Sequence, residues 1–103
     1  MAREMKYFVV HVIYLKPFDE VEPFVEAHRA YLDRCLQQGS LLLSGPLVPR
    51  TGGLLFMRGE GRPDIERTMA GDPYALAGVA RYEVLEFKPL KVCAELSVLL
   101  EGS

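Results

Sequence analysis

The chain has 103 residues, with 12 Lys and Arg against 14 Asp and Glu, for a formal net charge of −2. That length supports one domain, 1–103, and not two. Half of the residues are hydrophobic and a quarter are charged, as in an ordinary folded protein and unlike a disordered chain, and the near-neutral balance without a basic run argues against a domain built on nucleic-acid phosphates.

The first predicted element is a strand over Met5 to Leu15, rich in Val, Ile, Tyr and Phe. Phe8, Val10, Val12 and Tyr14 share one face; Tyr7, Val9, His11, Ile13 and Leu15 share the other. Both faces are apolar, so the strand requires cover on both sides. The apolar run from Tyr7 is far shorter than the ~20 residues of a membrane helix. Lys16-Pro17-Phe18-Asp19 follows it, where a signal peptide would have small residues, so a cytoplasmic location is expected.

Lys16 to Glu22 reads as a turn into a helix, with Asp19 as N-cap and Glu22 three residues on in the capping-box arrangement. Pro23 suits the first turn only. The helix is expected to run to about Gln38, where Gly39 ends it in a left-handed conformation. Val21, Phe24, Val25, Leu32, Cys35 and Leu36 form one stripe at helical spacing.

Ser40 to Ser44 is a short second strand, stopped by Gly45-Pro46, and Thr51-Gly52-Gly53 is a turn before a third strand, Leu54 to Arg58. The short loop predicts an antiparallel hairpin. After Gly59-Glu60-Gly61 comes a helix over Asp64 to Ala70, with Pro63 in its first turn, Ile65 and Met69 on one face and Gly71 ending it. Asp72 and Pro73 then fit the N-cap and first position of one more helical turn, stopped by Gly78. Val79 to Phe87 is a fourth strand, closed by Pro89. Leu90, Val92, Ala94, Leu96, Val98 and Leu100 recur at period two, which predicts a final strand over about 90–100 with one buried face; a helix from Ala94 to Leu100 is the competing reading.

The order is β-α-β-β-α-β with an added C-terminal strand. It is an α+β, ferredoxin-like layout with an antiparallel sheet, whose core spans about 5–88. Two helices cover one face of such a sheet. The other face has no cover within the chain, which predicts a homodimer with two sheets packed face to face into a barrel-like core. Cys35 and Cys93 set no disulfide framework and are expected as free thiols in a reducing compartment.

His28 lies four residues after Phe24 and four before Leu32, inside the apolar stripe. There it is either a core histidine bonded to a carbonyl or a titratable ring facing a pocket. Asp72 is the natural partner. Beyond capping, a carboxylate at a helix start can face a cleft, and a His held by an Asp is a common acid–base unit. Tyr31 beside the His28 stripe can orient a ligand or fill the core. His11 is read as packed in a sheet face. Arg58 and Arg81 are weak candidates for binding an anion. Ser44 lies in no nucleophile elbow. The two His and two Cys lack metal-site spacing, and Gly59-Glu60-Gly61 is no phosphate or dinucleotide loop, so no cofactor is expected.

His28-Arg29-Ala30-Tyr31-Leu32, Gly39, Leu42-Leu43-Ser44-Gly45-Pro46-Leu47, Asp72-Pro73-Tyr74, Ala77-Gly78-Val79 and Val84-Leu85-Glu86-Phe87 together resemble the YCII (YciI-like) family over roughly Tyr7 to Phe87. The resemblance implies a dimeric α+β barrel with a site built on His28 and Asp72. It also implies substrate contacts around Tyr31, Ser44, Gly45, Pro46 and Tyr74, and elimination or isomerisation of a small cyclic or aromatic compound. Some members carry an Arg three residues before the His, where this chain has Val25, and longer versions of the hairpin loop Pro46 to Gly53.

Three functions follow for weighing. The first is an enzyme in which His28 is the acid or base and Asp72 orients it. The second is a non-catalytic homodimer that binds a small ligand. The third is an RNA-recognition module, which shares the element order. It needs exposed aromatics and a basic surface, whereas the third strand offers only Phe56 and the net charge is negative.

Overall fold

A computed structural model describes residues 4–101. Four strands form one sheet in the order β2-β3-β1-β4, with β1 at Lys6–Tyr14, β2 at Leu41–Pro46, β3 at Gly52–Gly59 and β4 at Ala80–Phe87. All three pairings are antiparallel. Helix α1 (Phe18–Val21), a 3₁₀ turn (Glu22–Phe24) and α2 (Val25–Gln38) connect β1 to β2. Helices α3 (Arg62–Ala70) and α4 (Pro73–Leu76) connect β3 to β4, and α5 (Ala94–Glu101) ends the described chain. This is the ferredoxin-like arrangement that the order of elements predicts.

The two-sided greasiness of β1 reflects its central place in the sheet. Phe8, Val10 and Val12 are buried on the face that the helices cover, with Leu55 and Met57 of β3 and Val84 of β4 beside them. Leu32 and Cys35 of α2 and Ile65 and Met69 of α3 close that core from above. The opposite face has no such layer. There Val9 pairs across to Phe56 and Leu85, and Tyr7 across to Phe87. Phe56 stands 5.6 Å from Phe87 and 6.1 Å from Tyr7, centroid to centroid. Leu85 on this face is 61% exposed.

The helical entry differs from expectation. The N-cap is Pro17, without a side-chain hydrogen bond, and Asp19 sits within the first turn, so no capping box forms. Pro23 has no N–H to continue the α ladder. The chain tightens there into the 3₁₀ turn and resumes as α2, which Gly39 ends at φ 87°. Leu36, expected in the apolar stripe, is exposed.

Strand β2 does not stop at Ser44 but runs through Gly45-Pro46. It is an edge strand, where a residue without an N–H is tolerated. Its register against β3 shifts between Leu41 and Leu43, so one extra residue bulges out. The shift has a consequence for the site: it turns Ser44 and Pro46, opposite Leu55 and Gly53, toward the helix side. Gly52 and Gly53 are the first residues of β3 rather than a turn. A Cβ on Gly52 would stand 1.8 Å from the Val12 carbonyl oxygen, so only glycine allows β3 to approach β1 this closely.

The C-terminal strand expected over about 90–100 is a helix instead. Leu96, Leu99 and Leu100 also satisfy the i, i+3, i+4 spacing, and Ala and Leu are strong helix formers. The last-turn carbonyls, which no helix can satisfy internally, find donors on the open sheet face. Leu100 accepts from the Tyr7 hydroxyl at 3.1 Å and Leu99 from Arg58 Nη1 at 3.5 Å. Among the described residues, no helix is long and apolar enough to cross a membrane.

Candidate active site

Between α2 and one end of the sheet lies a cavity of about 200 Å³. Val12 and Tyr14 of β1, Leu55 of β3 and Leu32 of α2 form its walls, and His28 and Tyr74 stand in it. An apolar hole of about 150 Å³ admits benzene, so the space suits a single six-membered ring.

Helix α2 carries His28 into the cavity because His28 occupies the stripe that also buries Leu32 and Cys35. Its side chain is 12% exposed. Asp72 reaches it from the start of α4. As sequence spacing predicts, Asp72 is the N-cap, with Pro73 following, and its Oδ1 accepts from the Tyr74 backbone N–H at 3.2 Å. The same oxygen lies 2.8 Å from His28 Nδ1. The other oxygen, Oδ2, accepts from the Tyr82 hydroxyl at 2.6 Å. Asp72 is fully buried and meets three donors, the condition under which a carboxylate can stay in a dry interior.

An acceptor-only carboxylate dictates the imidazole tautomer. Nδ1 carries its hydrogen toward Asp72, and Nε2, which has no partner among the described residues, is the atom left for chemistry. The ring plane is fixed a second time by Tyr74, stacked at 3.8 Å and 7°. Burial first, then the hydrogen bond to Asp72 and the charge of that carboxylate, push the Tyr82 hydroxyl well above the usual phenol range. Tyr82 therefore remains a donor to Asp72 at neutral pH. Burial, reinforced by the neighbouring Tyr14, pushes Tyr74 up to about 12, with Arg50 opposing.

The remaining site candidates divide. Ser44, Gly45 and Pro46 lie along the cavity mouth, with Tyr74 inside. Tyr31 does not line the cavity; its hydroxyl donates to the Thr68 carbonyl at 2.6 Å and ties α2 to α3. His11 lies on the open face, 3.5 Å from Glu83. Arg58 donates to the Gly39 carbonyl at 2.9 Å, and Arg81 lies 3.9 Å from Glu83. Cys35 is buried and Cys93 exposed, both free. No group of three or more His, Cys, Asp or Glu gathers as a metal site among the described residues.

Sequence reasoning missed Tyr82, Tyr14 and Arg50. Tyr82 shares its β4 face with the buried Val84, so strand parity was a usable signal. Tyr14 was legible only as a strand residue, and Arg50, in a loop, carried no pattern at all.

Residues 5–88 match the model of the YCII-related domain. No curated protein matches the chain. Among solved structures, the chain is similar to the 5-chloro-2-hydroxyhydroquinone dehydrochlorinase of Burkholderia phenoliruptrix, determined with 2,5-dihydroxybenzoquinone. The TM-score is 0.69 at 22% identity, covering 80% of this chain and 93% of that one. At that identity the likeness shows a shared fold.

Proposed function

The chain belongs to the YCII-related family, and from that premise we propose a small-molecule enzyme in which His28, oriented by Asp72, moves a proton on a small cyclic or aromatic compound. The reaction is an elimination or an isomerisation. In an elimination, Nε2 takes a proton from the substrate, the electron pair moves into the ring system, and a leaving group such as chloride departs with its own pair. In an isomerisation the same proton returns at another atom. The observation that carries this reading is the buried, three-donor Asp72 holding Nδ1 at 2.8 Å while Nε2 stays unpaired in a one-ring cavity. The structural neighbour, named as a dehydrochlorinase of a chlorinated hydroxyhydroquinone, makes the same class of compound the first to test here. Purified protein incubated with chlorinated hydroquinones and small enol lactones should release chloride or shift the absorption spectrum. His28→Ala should abolish that turnover, and undiminished turnover would overturn the assignment.

The competing reading is a non-catalytic small-ligand-binding protein. It draws on the cap that Asp72 makes for α4, which already gives the carboxylate a structural role. Ligands held at micromolar affinity without conversion would favour it.

In either reading the working unit is a homodimer. The support is the sheet face of Val9, Phe56 and Leu85, an apolar surface that α5 meets only at its Tyr7 and Arg58 end and of a kind that monomers rarely leave to water. Light scattering at micromolar concentration should return a mass near twice 11.6 kDa; the single-chain mass would overturn it.

A further inference from the structure

We infer that Arg50, Tyr14 and Tyr74 form a binding site for an anionic oxygen, a carboxylate or a phenolate borne on a single planar ring, at the end of the cavity that holds His28. Three observations lead there.

The first is an orphan. Tyr74 is 1% exposed, and its hydroxyl is buried without a hydrogen-bond partner. It lies beside the Tyr14 hydroxyl and the Arg50 guanidinium, near enough for both to influence it but without a bond of good geometry to either. A buried hydroxyl with no partner is costly, and it calls for a group that the protein itself does not supply. Because burial keeps Tyr74 protonated at neutral pH, the group it calls for is an acceptor.

The second is an uncompensated cation. Arg50 Nε donates to the Tyr14 hydroxyl at 3.2 Å, and the guanidinium lies 4.4 Å from the centre of the Phe18 ring. These contacts hold its plane beside the Tyr74 hydroxyl, which it approaches without a bond of good geometry. No carboxylate pairs with Arg50 among the described residues. A planar guanidinium so held presents parallel donors that match a carboxylate or an ionised ring oxygen.

The third is the sign of the lining. Arg29 and Arg50 both line the cavity and no Asp or Glu does, the nearby Asp72 carboxylate being buried with three donors on it, in a chain whose net charge is −2. A cleft of one sign in a protein of the other draws the opposite charge in. With an anionic oxygen on Tyr74 and Arg50, the ring of the ligand lies along the Val12 and Leu55 wall, within the space that His28 also borders.

The inference rests on this cavity being the ligand site, as in the proposed function, but not on His28 acting as a base. Titration calorimetry on the full chain separates the two. Benzoate and 4-nitrophenolate are the anionic probes, and benzamide and nitrobenzene their neutral counterparts. At least one anion should bind about tenfold or more tightly than its neutral counterpart, the scale of one charge-assisted pair; which anion does so tells whether carboxylate or phenolate is the preferred form. Arg50→Gln, at an exposed position, should remove that preference and leave neutral binding as it was. Tyr74→Phe should weaken the anion by severalfold, with folding checked by circular dichroism. His28→Gln should keep the preference even if turnover is lost. Equal affinity for charged and neutral probes, no anion binding at millimolar concentration, or an Arg50→Gln variant that still prefers the anion would each overturn the site. An inactive wild type that nonetheless shows the Arg50-dependent preference would overturn only the catalytic reading.

Discussion

The chain sets a histidine against a carboxylate twice, on opposite faces of one sheet. On the helix-covered face His28 meets Asp72 at 2.8 Å, with the carboxylate fully buried. On the open face His11 meets Glu83 at 3.5 Å, with side chains 35% and 54% exposed. The residue types match, but the surroundings do not. Asp72 is held by two further donors, and its histidine is held by a stacked ring; among the described residues Glu83 has beside it only the charges of His11 at 3.5 Å and Arg81 at 3.9 Å. Water screens the second pair and allows both side chains to wander. The lesson is that a His–carboxylate pair becomes a tool for chemistry when its neighbours fix the tautomer and exclude water, and remains a surface ion pair otherwise.

The largest expected contrast is in turnover. His28→Ala should lower kcat by about 10²- to 10⁴-fold, the usual range for losing a general acid or base, while His11→Ala leaves kcat unchanged. A kinetic comparison of the two variants breaks the contrast if they behave alike. Stability should divide next. Asp72→Ala strands the Tyr82 hydroxyl, the Tyr74 N–H and His28 Nδ1, and should cost about 3–5 kcal/mol in urea unfolding, as for breaking a buried pair. Glu83→Ala should stay within about 0.5 kcal/mol. Tyr82→Phe sharpens the picture, because it removes one donor and keeps the ring. The loss should be about 1.5–3 kcal/mol, typical of a hydrogen bond to a charged group, with activity reduced through a misplaced Asp72 and no comparable effect from Glu83.

A further effect is alkaline. Tyr74 has its folded value pushed up to about 12 from the ordinary 10.0, and Tyr82 is shifted in the same direction. Above pH 10 the unfolded chain loses these phenolic protons while the folded chain retains them. The folded state then binds more protons, so stability falls as pH rises from about 10. The full stabilisation is present below pH 10. The slope should approach about 1.4 kcal/mol per pH unit for each such tyrosine, and unfolding curves at pH 9, 10 and 11 would show it. Phe substitution at Tyr82 should flatten the slope.

Some of this was legible one residue at a time. Gly39 after an apolar stripe marked the end of α2, and Asp72-Pro73 marked the start of α4, because capping depends on a few adjacent residues. The double greasiness of β1 announced a strand that needs cover on both faces, and the structure puts it inside the sheet. His28 was conspicuous as a titratable ring within an apolar stripe. Its partner could be named but not placed, since Asp72 lies 44 positions after His28 and the chain between had to fold first. Local reasoning failed where two structures satisfied the same residues. The apolar positions of 90–100 fit both a strand and a helix, and the donors Tyr7 and Arg58, distant in sequence, serve the helix. Asp19 looked like an N-cap, yet the N-cap is Pro17, two residues earlier.

By itself, then, the sequence determined the β-α-β-β-α-β order, the apolar character of β1, the C-terminal end of α2 and the start of α4, and the presence of one histidine and one capping aspartate suited to acid–base work. The tertiary structure decided that Tyr82 would complete the aspartate's hydrogen bonds, that a bulge in β2 would turn Ser44 toward the cavity, and that a loop arginine would meet two tyrosines from different elements. Periodicity and capping act over a few neighbouring residues and can be read along the chain. Burial, hydrogen-bond completion and the charge of a cavity are sums over residues that only folding brings together.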